Sequence, residues 1–438
     1  MTADAALAKE LQSGTFFKNP YPYFAEYRES EPVFYSESLG GWVLLRYQEV
    51  DEVLRDHETY SSKGRVIYLL NKLDDGVRSK LPLLHSHFSY GLAHSDAPEH
   101  RRLRGLLAQA FTPRFVEGFH PHISEVVRRV IGSIGNEFDL IEDVFVPIPA
   151  LVVGKLLGSS ESDIPNLIKW AGAINGLYEK GGNISADKAL YAESMLEEIR
   201  NFVIELVEQR RTFRKKGNLD PNQDVMSGLV ATEVNGDSLS ESELVSTVVT
   251  LFVAGHETTT HLLGNGFHAL FNNPEAIATY KENPTLTASI VDEMARFDGS
   301  VPRSWRINKE EVKIAGTTIP KGSMILPMLA SANHDPKVFQ DPDSFNIERD
   351  SKKHLAFGKA RETAIAFNSR SNIEAWAVVN NPSRHGFQCF DGVSGMTAKH
   401  STHKVVSKNS RKETARFKPV NQIVIDRISI FFGDTPMC

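Results

Sequence analysis

SESELVSTVVTLFVAGHETTTHLLGNGFHALFNN, residues 240–273, predicts a single long helix. Ser240 is placed at its N-cap with Glu243 three residues later, which is a capping box, and Pro274 marks its end. About 32 residues rising about 1.5 Å each give a rod of roughly 48 Å. Apolar residues occupy most of its circumference, which predicts a helix buried at the centre of a large core.

The middle of this helix, Ala254-Gly255-His256-Glu257-Thr258-Thr259, is locally unfavourable for a buried helix. The glycine costs about 1 kcal/mol relative to alanine, the threonine hydroxyls can bond to preceding carbonyls, and a buried carboxylate must be desolvated. Such conflicts occur at functional sites. We therefore expect a flat group to approach Ala254 and Gly255, with Thr258 on the same face. The alternative is a close crossing of two helices through small residues.

Length and composition predict one large globular domain. Apolar residues make up 41% of the 438 residues and charged residues 24%. The alanine-rich, polar start does not resemble a signal peptide, and no apolar run approaches the ~20 residues of a membrane span. We expect a cytoplasmic protein without a membrane segment. Cys389 and Cys438 are the two cysteines, and they give neither a disulfide framework nor a zinc spacing.

Secondary structure outside the long helix is predicted to be mainly helical. Residues 19–62 contain a short helix and then a β-hairpin about Gly40-Gly41, whereas residues 64–93 show no clear periodicity and resemble a binding loop. Periodic patterns predict helices over the ranges 114–136, 142–157, 162–177, 185–215, 274–281 and 285–297. Residues 303–327 alternate like short strands.

A further helix is predicted after Ser95-Asp96-Ala97-Pro98-Glu99. His100 and Arg104 lie four residues apart and therefore share one face of it. Two cationic donors on one face suit a ligand that carries a carboxylate. The alternative is a solvated basic face.

Taken together, these segments resemble the cytochrome P-450 family of haem-thiolate monooxygenases over roughly residues 15–358. Ala254 to Thr258 is similar to the oxygen-activating helix motif of that family, and Glu293-x-x-Arg296 is similar to its E-x-x-R motif. Pro342-Asp343-Ser344-Phe345 with Arg349 resembles the segment whose arginine joins that pair, and His354 to Gly358 resembles the start of the haem loop. The order of these motifs carries the resemblance, because an isolated E-x-x-R occurs on many helices.

The resemblance implies a mainly α single-domain fold with a small β lobe near the N-terminus, built on the long central helix. It implies haem b, with Ala254 and Gly255 at its face and its propionates held by His100, Arg104, Arg306 and His354. Thr258 would bond dioxygen and Glu257 would help deliver protons, while Glu293, Arg296 and Arg349 would form a buried structural triad. It also implies a small organic substrate and electrons from NAD(P)H through a separate ferredoxin or flavodoxin. We expect neither a nucleic-acid nor a membrane partner.

The resemblance ends abruptly after Gly358. The family places its cysteine ligand where this chain has Ala364, and the family's neighbouring glycines are replaced by Ala360 and Ala366. The residues from Lys359 to the end carry a formal charge of +6, against −12 for residues 1–358.

We therefore divide the chain into a P-450-like domain, residues 1–358, and an atypical basic segment, residues 359–438. A change of reading frame near Gly358 or Lys359 explains the break, and a natural basic interaction tail is the competing hypothesis. The chain is then either an impaired monooxygenase, with Cys389 as a weak candidate for a substitute ligand, or a catalytically dead, haem-free remnant.

Overall fold

The computed structural model describes residues 1–135, 138–177, 184–231 and 237–358. Predictions for Ala364, Cys389, Cys438 and the segment 359–438 lie outside these residues. The α-helices, in chain order, are α1 (Ala3–Ser13), α2 (Thr15–Lys18), α3 (Tyr21–Ser30), α4 (Tyr47–Arg55), α5 (Arg65–Leu70), α6 (Asp75–Arg78), α7 (Pro82–Tyr90), α8 (Glu99–Ala110), α9 (Pro113–Ser133), α10 (Pro147–Leu157), α11 (Ile164–Asn175), α12 (Ala186–Lys215), α13 (Val225–Ala231), α14 (Glu241–Asn272), α15 (Pro274–Glu282), α16 (Thr287–Asp298) and α17 (Leu329–Ala332).

The strands are β1 (Val33–Ser36), β2 (Gly41–Leu44), β3 (Tyr60–Ser61), β4 (Arg306–Asn308), β5 (Val312–Ile314), β6 (Thr317–Ile319) and β7 (Met324–Pro327). Short 3₁₀ turns cover Leu92–His94, Glu161–Asp163 and Pro284–Leu286, and a π-helical turn covers Leu140–Phe145. This arrangement confirms the mainly α fold with a small amount of sheet.

The predicted central helix is confirmed as α14. Its capping box is formed, because the Ser240 N–H donates to Glu243 Oε2 at 2.8 Å and the Glu243 N–H donates to Ser240 Oγ at 3.3 Å. Helices α7, α10, α11, α12 and α16 all pack against α14. Side chains of α14 extend into two apolar cores, one near its N-terminal half and one near its C-terminal half. The helix therefore links the two cores.

The larger sheet has the order β1-β2-β7-β4-β3. The predicted hairpin is formed by β1 and β2, with Tyr35 opposite Trp42. Strand β2 pairs with β7 in parallel, and β4 pairs with both β7 and β3 in antiparallel fashion. The β lobe was expected near the N-terminus, but strands from residues 306–327 complete it. Strands β5 and β6 form a separate hairpin.

The region 64–93 differs from the expected binding loop, since it contains α5, α6 and α7. Helix α7 is capped by a distant side chain. The Glu193 carboxylate of α12 accepts the N–H groups of Leu83 and Leu84, each at 2.8 Å. This capping joins residues more than 100 positions apart, so the local sequence carries no signal for it. Within the described part of the chain, no helix combines the length and apolarity that crossing a bilayer requires.

Candidate functional site

One face of α14 remains partly open although other helices surround this helix. Thr250, Ala254, Glu257, Thr258 and His261 are half-buried and recur at intervals of one, three or four residues, whereas most residues between them are buried. Side chains at such spacing lie along a single stripe of the helix. We call these five residues the open stripe. Each of the five keeps some exposed surface in the described part of the chain.

Thr258 of the open stripe and the nearby Thr260 both donate hydrogen bonds to main-chain carbonyls. Thr258 donates through Oγ1 to the Ala254 carbonyl, and Thr260 donates to the carbonyls of Phe145 at 2.9 Å and His256 at 3.1 Å. Because the Thr258 hydroxyl proton is used within the helix, the lone pairs of its oxygen can still accept a hydrogen bond.

Gly255 has a different neighbour from the one expected. A β-carbon added at this glycine would lie 2.9 Å from Val153 Cγ2, so the space is filled by α10. This corrects the expectation that Gly255 admits a flat group: the glycine permits a close helix crossing, which was the alternative prediction. Ala254, in contrast, remains on the open stripe.

The two ionisable residues of the motif have different surroundings. His256 is buried and lies 5.5 Å from the Phe252 ring, measured between centroids. Burial lowers the pKa of its imidazole to about 4, although the Val146 carbonyl opposes this shift. His256 is therefore neutral near pH 7. Glu257 lies beside α11, with Oε1 at 3.9 Å from the position that a β-carbon of Gly172 would take.

Glu293, Arg296 and Arg349 lie together. Arg296 forms a bidentate salt bridge with the Glu293 carboxylate, in which Nε donates to Oε2 and Nη2 donates to Oε1, each at 2.8 Å. Arg349 Nε lies 3.3 Å from Glu293 Oε1. The Ser351 hydroxyl donates to Oε2 at 2.5 Å, and the Asn346 N–H donates to Oε1 at 2.9 Å. The side chains of Glu293 and Arg296 are both 0% exposed, so this charge pair is completely removed from water.

The pKa of Glu293 reflects two opposing causes. Burial raises it, but the hydrogen bonds and charge of Arg296, together with the Asn346 and Ser351 bonds, bring it below its usual value. Arg296 also donates Nη1 to the carbonyls of Asn333 at 2.9 Å and Pro342 at 2.8 Å. The pair thus anchors the irregular segment that leads to residue 358.

The expected carboxylate-binding residues are connected through the start of α8. The His100 N–H donates to the Asp96 carbonyl at 2.9 Å. The Asp96 carboxylate accepts the Ser62 N–H at 3.0 Å and also the Ser61 hydroxyl. Ser61 is paired with Ile307 across β3 and β4, next to Arg306. These bonds hold the helix of His100 against the strand of Arg306.

The side chains expected to bind the haem propionates differ in their hydrogen-bond partners. The Nη1 atom of Arg104 is buried and has no hydrogen-bond partner within the described ranges. Arg306 Nη1 donates to Ser304 Oγ at 3.0 Å and to the Trp305 carbonyl at 2.7 Å. His354 Nε2 lies 3.6 Å from a carboxylate oxygen of Asp292, a neighbour that sequence reasoning missed.

A second group missed from the sequence surrounds His334. Its Nδ1 lies 2.7 Å from an Asp343 carboxylate oxygen, and its Nε2 lies 2.8 Å from the Phe297 carbonyl. The Tyr21 ring stacks on it at 4.2 Å. No local motif signals this contact, because its members come from separate segments.

No group of three or more His, Cys, Asp or Glu side chains that could hold a metal occurs among the residues described by the structure. Both cysteines follow residue 358. The described residues therefore provide cationic and small side chains beside an open stripe, but no thiolate.

Comparison with known proteins gives a consistent result. The family model described as cytochrome P-450 matches residues 185–368, so the match stops soon after the break noted at Gly358. Cytochrome P-450 107B1 of Saccharopolyspora erythraea is 31% identical over 350 residues, which cover 78% of this chain and 82% of that protein. The biotin biosynthesis cytochrome P-450 of Bacillus subtilis is 29% identical over 397 residues, covering 85% and 91%.

Solved structures agree with these relatives. Cytochrome P-450 CYP109Q5 of Chondromyces apiculatus has a TM-score of 0.69 and 31% identity, with 82% of this chain and 86% of that chain covered. P-450BioI, solved in complex with an acyl carrier protein ligated to hexadec-9Z-enoic acid, has a TM-score of 0.74 and 28% identity, covering 85% and 93%.

Proposed function

The chain belongs to the cytochrome P-450 family, and on that premise we propose that residues 1–358 form the haem-binding, oxygen-activating domain of a monooxygenase. The observation that carries this proposal is the open stripe on α14, which contains Ala254, Glu257 and Thr258 of the family motif. A site for a flat cofactor needs such a face inside an otherwise packed core. The reaction would insert one oxygen atom from O2 into a small organic substrate.

The residues fit the organic part of haem. Ala254 leaves room on the open stripe, and the buried Arg104 Nη1 lacks an acceptor among the described residues. A propionate would supply that acceptor. His100, Arg306 and His354 would be the other propionate donors. When bound, haem supplies the iron chemistry that activates dioxygen.

Two residues of the open stripe are assigned to proton transfer. Thr258 Oγ1 keeps free lone pairs while its proton is held by the Ala254 carbonyl, so it can accept a hydrogen bond from a protonated oxygen or a water. Glu257, beside α11, is the carboxylate of the stripe and would pass protons toward Thr258. The surrounding helices limit the entry of bulk water.

Other components are proposed by analogy with the family. Electrons would come from NAD(P)H through a ferredoxin or flavodoxin, and the protein would act in the cytoplasm. Among the relatives are a 6-deoxyerythronolide B hydroxylase and a vitamin D(3) 25-hydroxylase, each about 30% identical to this chain. Their names support hydroxylation of an apolar organic molecule as the reaction class.

We further propose that this chain, as written, lacks a thiolate ligand for iron. Ala364 occupies the family's cysteine position, and alanine has no atom that can bind a metal. The break after Gly358 is proposed to be a change of reading frame, in preference to a natural basic tail. The nucleotide sequence tests this: an alternative frame should encode C-x-G and then an apolar helix, and its absence would eliminate the frame hypothesis.

A segment exchange tests the function. Residues 359–438 are replaced by the corresponding segment of the Saccharopolyspora relative, and a matched control carries alanine at that segment's cysteine. We expect the exchanged protein, but not its control, to show a thiolate-type Soret band after reduction and carbon monoxide treatment. A folded exchanged protein that binds no haem would contradict the monooxygenase proposal and favour the catalytically dead remnant.

A further inference from the structure

The loop between α16 and β4 runs beside the proposed site. It starts after Asp298, the last residue of α16, whose carbonyl accepts a hydrogen bond from Asn265 Nδ2 of α14 at 3.0 Å. It ends at Arg306, the first residue of β4. Its later part is fixed by the main chain: the Ser304 N–H donates to the Pro327 carbonyl at 2.9 Å, and the Pro302 carbonyl accepts the Ala330 N–H at 3.0 Å. Arg303 lies between these two anchored residues, so its backbone position is well defined.

The guanidinium of Arg303 stacks on an aromatic ring. Its central carbon lies 5.3 Å from the Trp305 ring centroid. The indole in turn packs against the apolar core beside α7, α8 and the N-terminal half of α14. A stacked guanidinium keeps a fixed plane, and its five N–H donors point in known directions within that plane.

Arg303 differs from the buried arginines of the described chain. Arg28, Arg210, Arg296 and Arg306 each donate to at least one oxygen atom. Among the described residues no hydrogen bond or ion pair to the Arg303 side chain occurs, although this residue is half-buried. Burial lowers the pKa of its guanidinium, and no acidic group opposes that effect. Its donors are thus left to water or to the acceptor groups of a ligand.

We propose that Arg303 binds a carboxylate group of a ligand at this site. A carboxylate matches the planar fork with two parallel hydrogen bonds. The carboxylate would belong to an acidic substrate or to a haem propionate, and in naming these two sources the inference rests on the proposed function. Four donors, namely His100, Arg104, Arg306 and His354, are already assigned to the two propionates. Arg303 is additional to that set, which favours a substrate acid.

The test uses the full chain and three variants: Arg303→Met, Arg303→Lys and, as a matched control, Arg211→Met on the exposed face of α12. Binding of dodecanoate and of dodecan-1-ol is measured by calorimetry in the absence of haem. Binding of haemin and of haemin dimethyl ester is measured by absorption titration. Thermal unfolding verifies that each variant is folded, and Arg303→Lys provides a folded test if Arg303→Met is not.

For a substrate acid, dodecanoate should bind about 10- to 100-fold more weakly to Arg303→Met, and dodecan-1-ol should be unaffected. Arg303→Lys should be intermediate, because it keeps the charge but loses the fork. If Arg303 instead binds a haem propionate, Arg303→Met should bind haemin more weakly than the parent chain does. Its affinity for haemin dimethyl ester and for dodecanoate should then be unchanged.

Unchanged affinity for both acids in a folded variant would overturn the proposal, as would absence of binding of both acids to the parent chain. Failure of haemin alone to bind the unmodified chain would agree with its missing iron ligand, and the dodecanoate result would then decide the role of Arg303; the proposed function is tested separately by the segment exchange.

Discussion

At the scale of single residues, the Glu293 carboxylate shows how this chain stabilises a charge away from water. It accepts from two arginines, a hydroxyl and a backbone N–H. A buried ion pair gains enough to offset desolvation only when its remaining hydrogen-bonding capacity is also satisfied. The contact of Glu293 and Arg296 was implied by the family resemblance, and their i,i+3 spacing allows it. The carbonyls that surround Arg296 could not be predicted, because they come from residues 333–344.

Arg296→Ala should lower the free energy of unfolding by about 3–5 kcal/mol, since it leaves Glu293 buried and without its main partner. Arg211→Ala is the matched control, because Arg211 and Glu208 have the same i,i+3 spacing but side chains 54% and 58% exposed. The control should change stability by less than about 1 kcal/mol. Denaturant unfolding measures both, and equal losses would contradict the assigned burial of the Glu293 pair.

His256 provides a pH prediction. Its pKa is lowered from 6.5 to about 4 in the folded state, so the unfolded chain binds the extra proton between these values. The stabilisation is therefore complete above about pH 6.5 and is lost as pH falls toward 4, by up to about 3 kcal/mol. His256→Leu should remove its share of this pH dependence, while the share of buried His87, whose pKa burial also lowers to about 4, should remain. His268→Leu, an exposed position on the same helix, should leave the profile unchanged, and a similar effect of both variants would refute the assignment.

Thr258→Ala, in the segment-exchanged protein, should retain haem and substrate binding but separate NAD(P)H consumption from product formation. The reason is that the hydroxyl is proposed to accept a hydrogen bond at the open stripe and to ligate nothing. Thr260→Ala is the comparison, since Thr260 bonds to Phe145 and His256 away from the stripe. Product yield per NAD(P)H is the measurement. An unchanged yield in Thr258→Ala would remove this residue from the proposed mechanism.

At the scale of elements, predictability follows the range of the interactions that define each segment. Helix α14 could be predicted because its cap, its apolar pattern and the proline after it are all local. Helix α7 could not, because its first turn is capped by Glu193 of α12 and its later part is tied to α14. The Ser246 hydroxyl of α14 donates to the His87 carbonyl at 2.9 Å. Helix α7 thus depends on two distant helices for its position.

Glu193→Gln should loosen the start of α7. The amide can accept through one oxygen only, and its NH2 group faces backbone donors, so the Leu83 and Leu84 amides lose part of their capping. Glu197→Gln, on the exposed face of α12, is the matched control. Hydrogen exchange of residues 82–90 should accelerate roughly 5- to 30-fold in Glu193→Gln, corresponding to about 1–2 kcal/mol. Equal exchange in both variants would show that the cap does not stabilise α7.

At the scale of the whole molecule, the Glu293 cluster and the larger sheet both contact the segment that ends at residue 358. Leu355 donates its N–H to Asn333 Oδ1 at 2.7 Å, and Asn333 in turn accepts from Arg296 through its carbonyl. These bonds fix the position of the last described residues relative to α16. The family's order of motifs could be found from the sequence alone, but which face of α14 stays open required the packing of its neighbours.

Restoration of the ligand should depend on the whole segment. Ala364→Cys alone should yield little thiolate-ligated haem, because Ala360 and Ala366 replace the glycines that the turns of such a loop need. Exchange of residues 359–438 should yield much more. The fraction of protein with a thiolate-type Soret band compares the two, and equal fractions would show that the cysteine is the sole missing element.

We propose that this chain carries a P-450 domain without its iron ligand, and the absorption spectrum of the unmodified chain shows whether a thiolate binds the iron. The protein is expressed with haem supplied, reduced and treated with carbon monoxide. We expect no thiolate-type Soret band, because Ala364 supplies no sulfur. A thiolate-type band at full occupancy would contradict it and identify Cys389 or Cys438 as the ligand, to be distinguished by changing each to serine.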